Sequence, residues 1–89
     1  MTTPIHPGEH LAEFLEEYGL TQTALAKRMH APRMRISQIV RGERAVTADT
    51  AIRLAKVFNT TPQFWLNLQA SYDLACAIVD TRRIRPLVA

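Results

Sequence analysis

All of the apolar periodicity in this chain is helical. Leu11, Phe14, Leu15 and Tyr18 recur at i, i+3, i+4 and i+7, the stripe of an amphipathic helix, and no period-two alternation runs long enough to make a strand. The punctuation divides this periodicity into five segments. Pro7 suits a first helical position and Gly19 a stop, which predicts a helix over about residues 7–18. Thr21 is an N-cap for a second helix over about 22–29, with Leu25 and Met29 inward. After a turn at His30 and Ala31, Pro32 opens a third helix that runs to about Arg41, with Gly42 just past its end. Thr47 caps a fourth over about 48–58, with Ala51, Leu54, Val57 and Phe58 on one side. Thr61 and Pro62 start a fifth that continues to about Val79, followed by a basic tail over 80–89. The expected fold is all-α, a single domain over residues 1–89.

Eighty-nine residues bury roughly two-thirds of their unfolded surface, so the core is modest and a dimer would add to it. No apolar run approaches the roughly 20 residues of a membrane span. The opening MTTPIHPGEH has neither the basic nor the apolar segment of a secretory signal. A lone cysteine, Cys76, allows no internal disulfide and suits a reducing cytoplasm. On so apolar a helix it is expected as a small buried hydrophobe. The sequence implies no cofactor, and His6, His10 and His30 have no coherent ligand spacing for a metal. A hydrolase would need a nucleophile beside a base, yet Ser37 and Ser71 have no obvious base and the acids are scattered. An enzyme is not expected.

The charge is unevenly placed. Residues 1–20 hold Glu9, Glu13, Glu16 and Glu17 with no Lys or Arg, whereas residues 21–56 hold eight Lys/Arg against Glu43 and Asp49. Such separation points to two different partners. The basic stretch AKRMHAPRMRISQIVRG, Ala26 to Gly42, has the layout of a helix-turn-helix. Ala26 is small enough for a close helix crossing, and Ile36 and Ile39 face back toward the core. On a helical wheel Met34, Gln38 and Arg41 point away from Ile36, Ile39 and Val40, with Arg33, Arg35 and Ser37 on the flanks. Glutamine can bond adenine, arginine guanine, and methionine a thymine methyl, so this face can read a major groove. Gln22, Thr23 and Lys27 on the second helix, with Arg44 beyond the third, are placed for phosphate.

The fifth helix has more apolar surface than one small domain covers. Phe64, Trp65 and Leu68 are expected to complete the core, and Leu66, Ala70, Leu74, Ala77 and Ile78 to form a homodimer interface. A dimer sets two recognition helices about one DNA turn apart, on a near-palindromic site.

The pieces HPGE at His6–Glu9, LTQTALAKRM at Leu20–Met29, ISQIVRG at Ile36–Gly42, TADTAIRLAKVF and TPQFWLNLQASYDL resemble the HigA-type antitoxins of the Xre/Cro-like helix-turn-helix family, over about residues 6–74. The resemblance implies a lambda-repressor-like fold and a dimer that represses its own toxin–antitoxin operon by binding double-stranded operator DNA. It also implies a partner, a RelE/HigB-like toxin that cleaves messenger RNA and is neutralised by direct binding. The acidic face of Glu9, Glu13, Glu16 and Glu17 then reads either as a solvated helix surface or as the dock for that basic toxin. Arg82, Arg83 and Arg85 stay unassigned between free tail, phosphate contact and toxin contact. A free-standing regulator without a toxin shares all of the DNA chemistry. Two positions depart from the broader pattern: His30 stands where a turn glycine is usual, and Pro32 where a Ser or Thr cap is common.

Overall fold

A computed structural model describes residues 3–88. Five α-helices follow in order: α1 Pro7–Tyr18, α2 Gln22–Met29, α3 Arg33–Val40, α4 Ala48–Phe58 and α5 Pro62–Cys76. Short-range chemistry sets most of their ends. Thr21, Thr47 and Thr61 each accept a hydrogen bond from the backbone N–H three residues on, of Ala24, Thr50 and Phe64. Gly19 closes α1 in the left-handed region (φ 63°). His30 and Asn59 close α2 and α4 with φ of 53° and 55°. Both are residue types that tolerate this conformation, so the turn between α2 and α3 closes without its glycine.

The helices bury one continuous core. Leu11, Leu25, Ile36, Ile39, Ala51, Leu54 and Trp65 are fully enclosed, and Ala26 and Met29 nearly so. The α1 helix lies against α3 and α5, while α4 lies against α5 and α2, so the α2–α3 pair is held from behind by the other three. Tyr18, expected in the inward stripe of α1, is half exposed at the rim and stacks on Phe14 at 6.2 Å. Phe64 is also a rim residue, Leu68 is partly buried, and Trp65 alone of that trio is sealed.

Of the two places open to Pro32, the N-cap of α3 and its first turn, the structure takes the N-cap: its ψ of 140° is extended, and its carbonyl accepts the Arg35 N–H at 3.0 Å. Two sequence expectations need correction. The fifth helix stops at Cys76, not at Val79. Ala77 turns extended (ψ 135°), and Ile78 and Val79 are exposed with no core beneath them. Two adjacent β-branched residues with nothing to pack on gain little from helix. Ala77 and Ile78 therefore leave the face that carries Leu66, Ala70 and Leu74. Cys76 is exposed rather than buried, because the last turn of α5 runs past the elements that cover its earlier turns.

Candidate nucleic-acid interface

Part of the set expected at DNA comes together where α2 and α3 meet. Thr23 and Lys27 of α2 line an open concavity with His30, Ala31, Pro32 and Arg33, where the two helices meet. Gln22, at the start of α2, is half-buried, as are Ser37 and Gln38 of α3. Arg33 and Met34 are exposed, Met34 by 60%. Arg41 and Arg44, both exposed, follow in the loop of residues 41–47, which turns back over the end of α3. Burying Ile36 and Ile39 behind this face fixes which sides of α3 remain outward.

Four of the side chains expected at DNA already have partners. The Arg44 Nε–H donates to the Gln38 Oε1 at 2.9 Å, and Arg41 pairs with Glu43 at 3.2 Å. Gln38 thus has its carbonyl end steered toward Arg44, with its amide protons free to donate. Arg35 is different. Its Nη1 donates to the Asp49 Oδ1 of α4 at 2.8 Å, and three-quarters of its side chain is covered. Sequence reasoning counted Arg35, on the flank of the reading face, among the DNA-contacting residues; here it is bonded to the scaffold.

The same carboxylate oxygen accepts from the Arg53 Nε at 2.8 Å, and Arg53 Nη1 donates to the carbonyls of Met29 (2.7 Å) and His30 (3.2 Å). The hydrogen bonds from Arg53, and then those from Arg35, hold the Asp49 carboxyl below the usual carboxylate range. Those two carbonyls lie at the end of α2, where backbone oxygens lack helical partners. Sequence reasoning missed this role of Arg53, although the i, i+4 spacing of Asp49 and Arg53 was a visible sign of a pair.

The loop of residues 41–47 is held from two further sides, also unforeseen. The buried Gln69 of α5 accepts the Val46 N–H at 2.8 Å and donates to Asp73 at 2.9 Å. Its signal in the sequence was a lone amide four residues after Trp65, on the inward stripe of α5. His6, nine-tenths buried, caps α1: its Nδ1 accepts the Gly8 N–H at 2.8 Å. The ring meets Tyr72 edge-on at 4.9 Å and lies under Gly42, where an added Cβ would be 3.7 Å from it. The HPGE segment is thus a joint between α1, α5 and the loop that carries Arg41 and Arg44.

Burial lowers the pKa of His6 from 6.5, opposed by Asp73, the Arg44 backbone and Glu9. The cap needs the neutral ring. Unfolded His6 takes up a proton near pH 6.5 while the folded ring resists it, so the stability it confers is complete above that pH and declines as pH falls through it. Thermal melts at falling pH should therefore show a downward step that His6→Asn, which can cap but not titrate, removes.

The family model described as helix-turn-helix matches residues 11–65. Virulence-associated protein I of Dichelobacter nodosus is 47% identical over 85 residues, covering 94% of this chain and 79% of that one. Antitoxin HigA-1 of Vibrio cholerae is 44% identical over 72 residues, covering 80% of this chain and 68% of its own length. A solved structure of Pseudomonas aeruginosa antitoxin HigA with the higBA promoter superposes with a TM-score of 0.86 at 42% identity, over 97% of this chain and all of that one. The chain belongs to the helix-turn-helix family, in its HigA antitoxin branch.

Other surfaces of this HigA-type chain stand as follows. Glu9, Glu13, Glu16 and Glu17 are all exposed along α1. Leu66 packs partly against the core, while Ala70 and Leu74 face outward, Leu74 by 78%. In the tail, Arg82 pairs with Asp80 at 2.9 Å, and Arg85 donates to the Arg82 carbonyl at 2.7 Å. Among the described residues no helix is long and apolar enough to cross a membrane, and no group of three His, Cys, Asp or Glu could hold a metal.

Proposed function

We propose that this chain is the antitoxin of a type II toxin–antitoxin module: a homodimer that binds operator DNA through α2 and α3, represses its own operon and neutralises a RelE/HigB-like toxin by direct contact. The observation that carries the DNA part is the outward face of α3, where Met34, the Gln38–Arg44 pair and Arg41 stand clear of a sealed core. The P. aeruginosa relative bound to its promoter supports the same assignment. Gln38 reads bases, Arg33 and Met34 contact the neighbouring pairs, and Gln22, Thr23, Lys27, Ser37, Arg41 and Arg44 hold phosphate. Ala70 and Leu74, with Leu66 beside them, form the dimer contact that doubles the site. The exposed glutamates of α1 receive the basic toxin.

The chain's own upstream promoter duplex and a random duplex of equal length, titrated at several salt concentrations, test this reading. Gln38→Ala should cut the preference for promoter DNA by about tenfold, whereas Lys27→Ala should weaken both alike and lower the salt slope by about one. Equal losses in both variants would count against α3 as the reading element. Co-expression with the small basic protein encoded beside it should yield a complex and restore growth. Promoter binding with no such complex would leave a free-standing regulator.

A further inference from the structure

Arg35 is the cation of the DNA-facing side that the scaffold withholds. It leaves the third position of α3 and ends on Asp49, in the first turn of α4, rather than pointing outward with Met34 and Arg33. Asp49 is also the only acidic group bonded to two arginines among the described residues, and the second, Arg53, holds the carbonyls that end α2. One carboxylate thus links both helices of the DNA-binding pair to α4. We propose that Asp49 is a specificity-determining positioning residue: it keeps Arg35 off the phosphates of any DNA and sets the angle of α3 against α2. This rests on the operator-binding reading above.

The physical reason is the difference between the two kinds of contact. A phosphate contact strengthens binding to every sequence and carries no discrimination, whereas base contacts discriminate. An arginine on the flank of a recognition helix, left free, would swing to the nearest phosphate. Its gain would go to random DNA, which offers phosphate but no matching bases. A bond to Asp49 at 2.8 Å competes with that swing. Clamping α2 and α3 through Arg53 and Asp49 also holds Gln38 in one register, which matters only for the matching sequence. Asp49 therefore lowers non-specific affinity and supports specific affinity, two effects that act on the ratio in the same direction.

The test compares the promoter duplex with the random duplex for wild type, Asp49→Ala, Arg35→Ala and the double variant, with a melting curve for each. Asp49→Ala should bind random DNA about three- to tenfold more tightly near 0.1 M salt, with a salt slope steeper by about one, while its preference for promoter DNA falls. In the double variant the gain on random DNA should vanish, because Arg35 is what makes it. Gln63→Lys, exposed in the first turn of α5, gives a comparable change of charge away from α3 and should leave the preference within about twofold. If Asp49→Ala does not melt cooperatively, Asp49→Asn loses the charge but keeps an acceptor, and should move random binding the same way by less. The inference is overturned if losing Asp49 weakens both duplexes equally, changes neither, or tightens random binding just as much without Arg35. A wild-type protein with no preference for the promoter would instead remove the operator reading itself.

Discussion

Gly8→Ala should lower the melting temperature by more than 10 °C and abolish promoter binding at physiological temperature. An alanine Cβ at this position would lie 1.8 Å from the Ile39 carbonyl oxygen, a backbone atom in the last turn of α3. No rotamer change can relieve such a contact, so α1 must move off α3. Helix propensity works the other way, since alanine is preferred to glycine inside a helix by about 1 kcal/mol. Overpacking of this kind costs about 3 kcal/mol or more, so the clash wins. In a domain of this size each 1 kcal/mol moves the midpoint by roughly 4–8 °C. The displacement would also disturb His6, whose Nδ1 accepts the Gly8 N–H, and through it the loop of Arg41 and Arg44. A thermal melt by circular dichroism within about 4 °C of wild type would show that α1 and α3 can part without cost.

Trp65→Ala should destabilise the fold by about 3–5 kcal/mol. The indole is fully buried, with ring centres of Phe14, Phe64 and Phe58 at 5.2, 5.1 and 6.2 Å, and its N–H donates to the Thr60 hydroxyl at 2.8 Å. Its removal leaves a cavity at the junction of α1, α4 and α5, none of which is long enough to stand alone. Small domains have about 5–15 kcal/mol in total, so the variant should populate unfolded chain at 37 °C. Trp65→Phe separates the contributions: most of the packing stays, the hydrogen bond goes, and the loss should be nearer 1–2 kcal/mol. Chemical denaturation measures both, and near-equal losses would mean that the hydrogen bond outweighs the packing.

Both variants act on joints between helices, and the joints are where sequence reading was weakest. The outward face of α3 was legible because Ile36 and Ile39 must point inward, and the rest of the wheel follows from 100° per residue. Gly8, in HPGE, carries no local signal beyond the family resemblance. Its role depends on how closely α1 crosses the end of α3, which no local pattern encodes. Arg35 shows the same limit. The wheel puts it on the flank of α3 among candidate DNA contacts, but its partner lies fourteen residues away on another helix.

The five helices and most of their caps were determined by the sequence itself. Their signals are local: Thr21, Thr47 and Thr61 bond N–H groups three residues on, Gly19 and Asn59 take the left-handed turn, and apolar spacing selects the buried face. Proline fits both the cap and the first turn, and Pro32 takes the cap. Only the tertiary structure decided where α5 stops, why Cys76 is exposed, which carbonyls Arg53 holds and that Gln69 pins Val46. Each of these depends on what packing does or does not bring within reach. A helix cap is chosen by neighbours within one turn, but a polar side chain settles on whichever unpaired group the packed helices bring within about 3 Å.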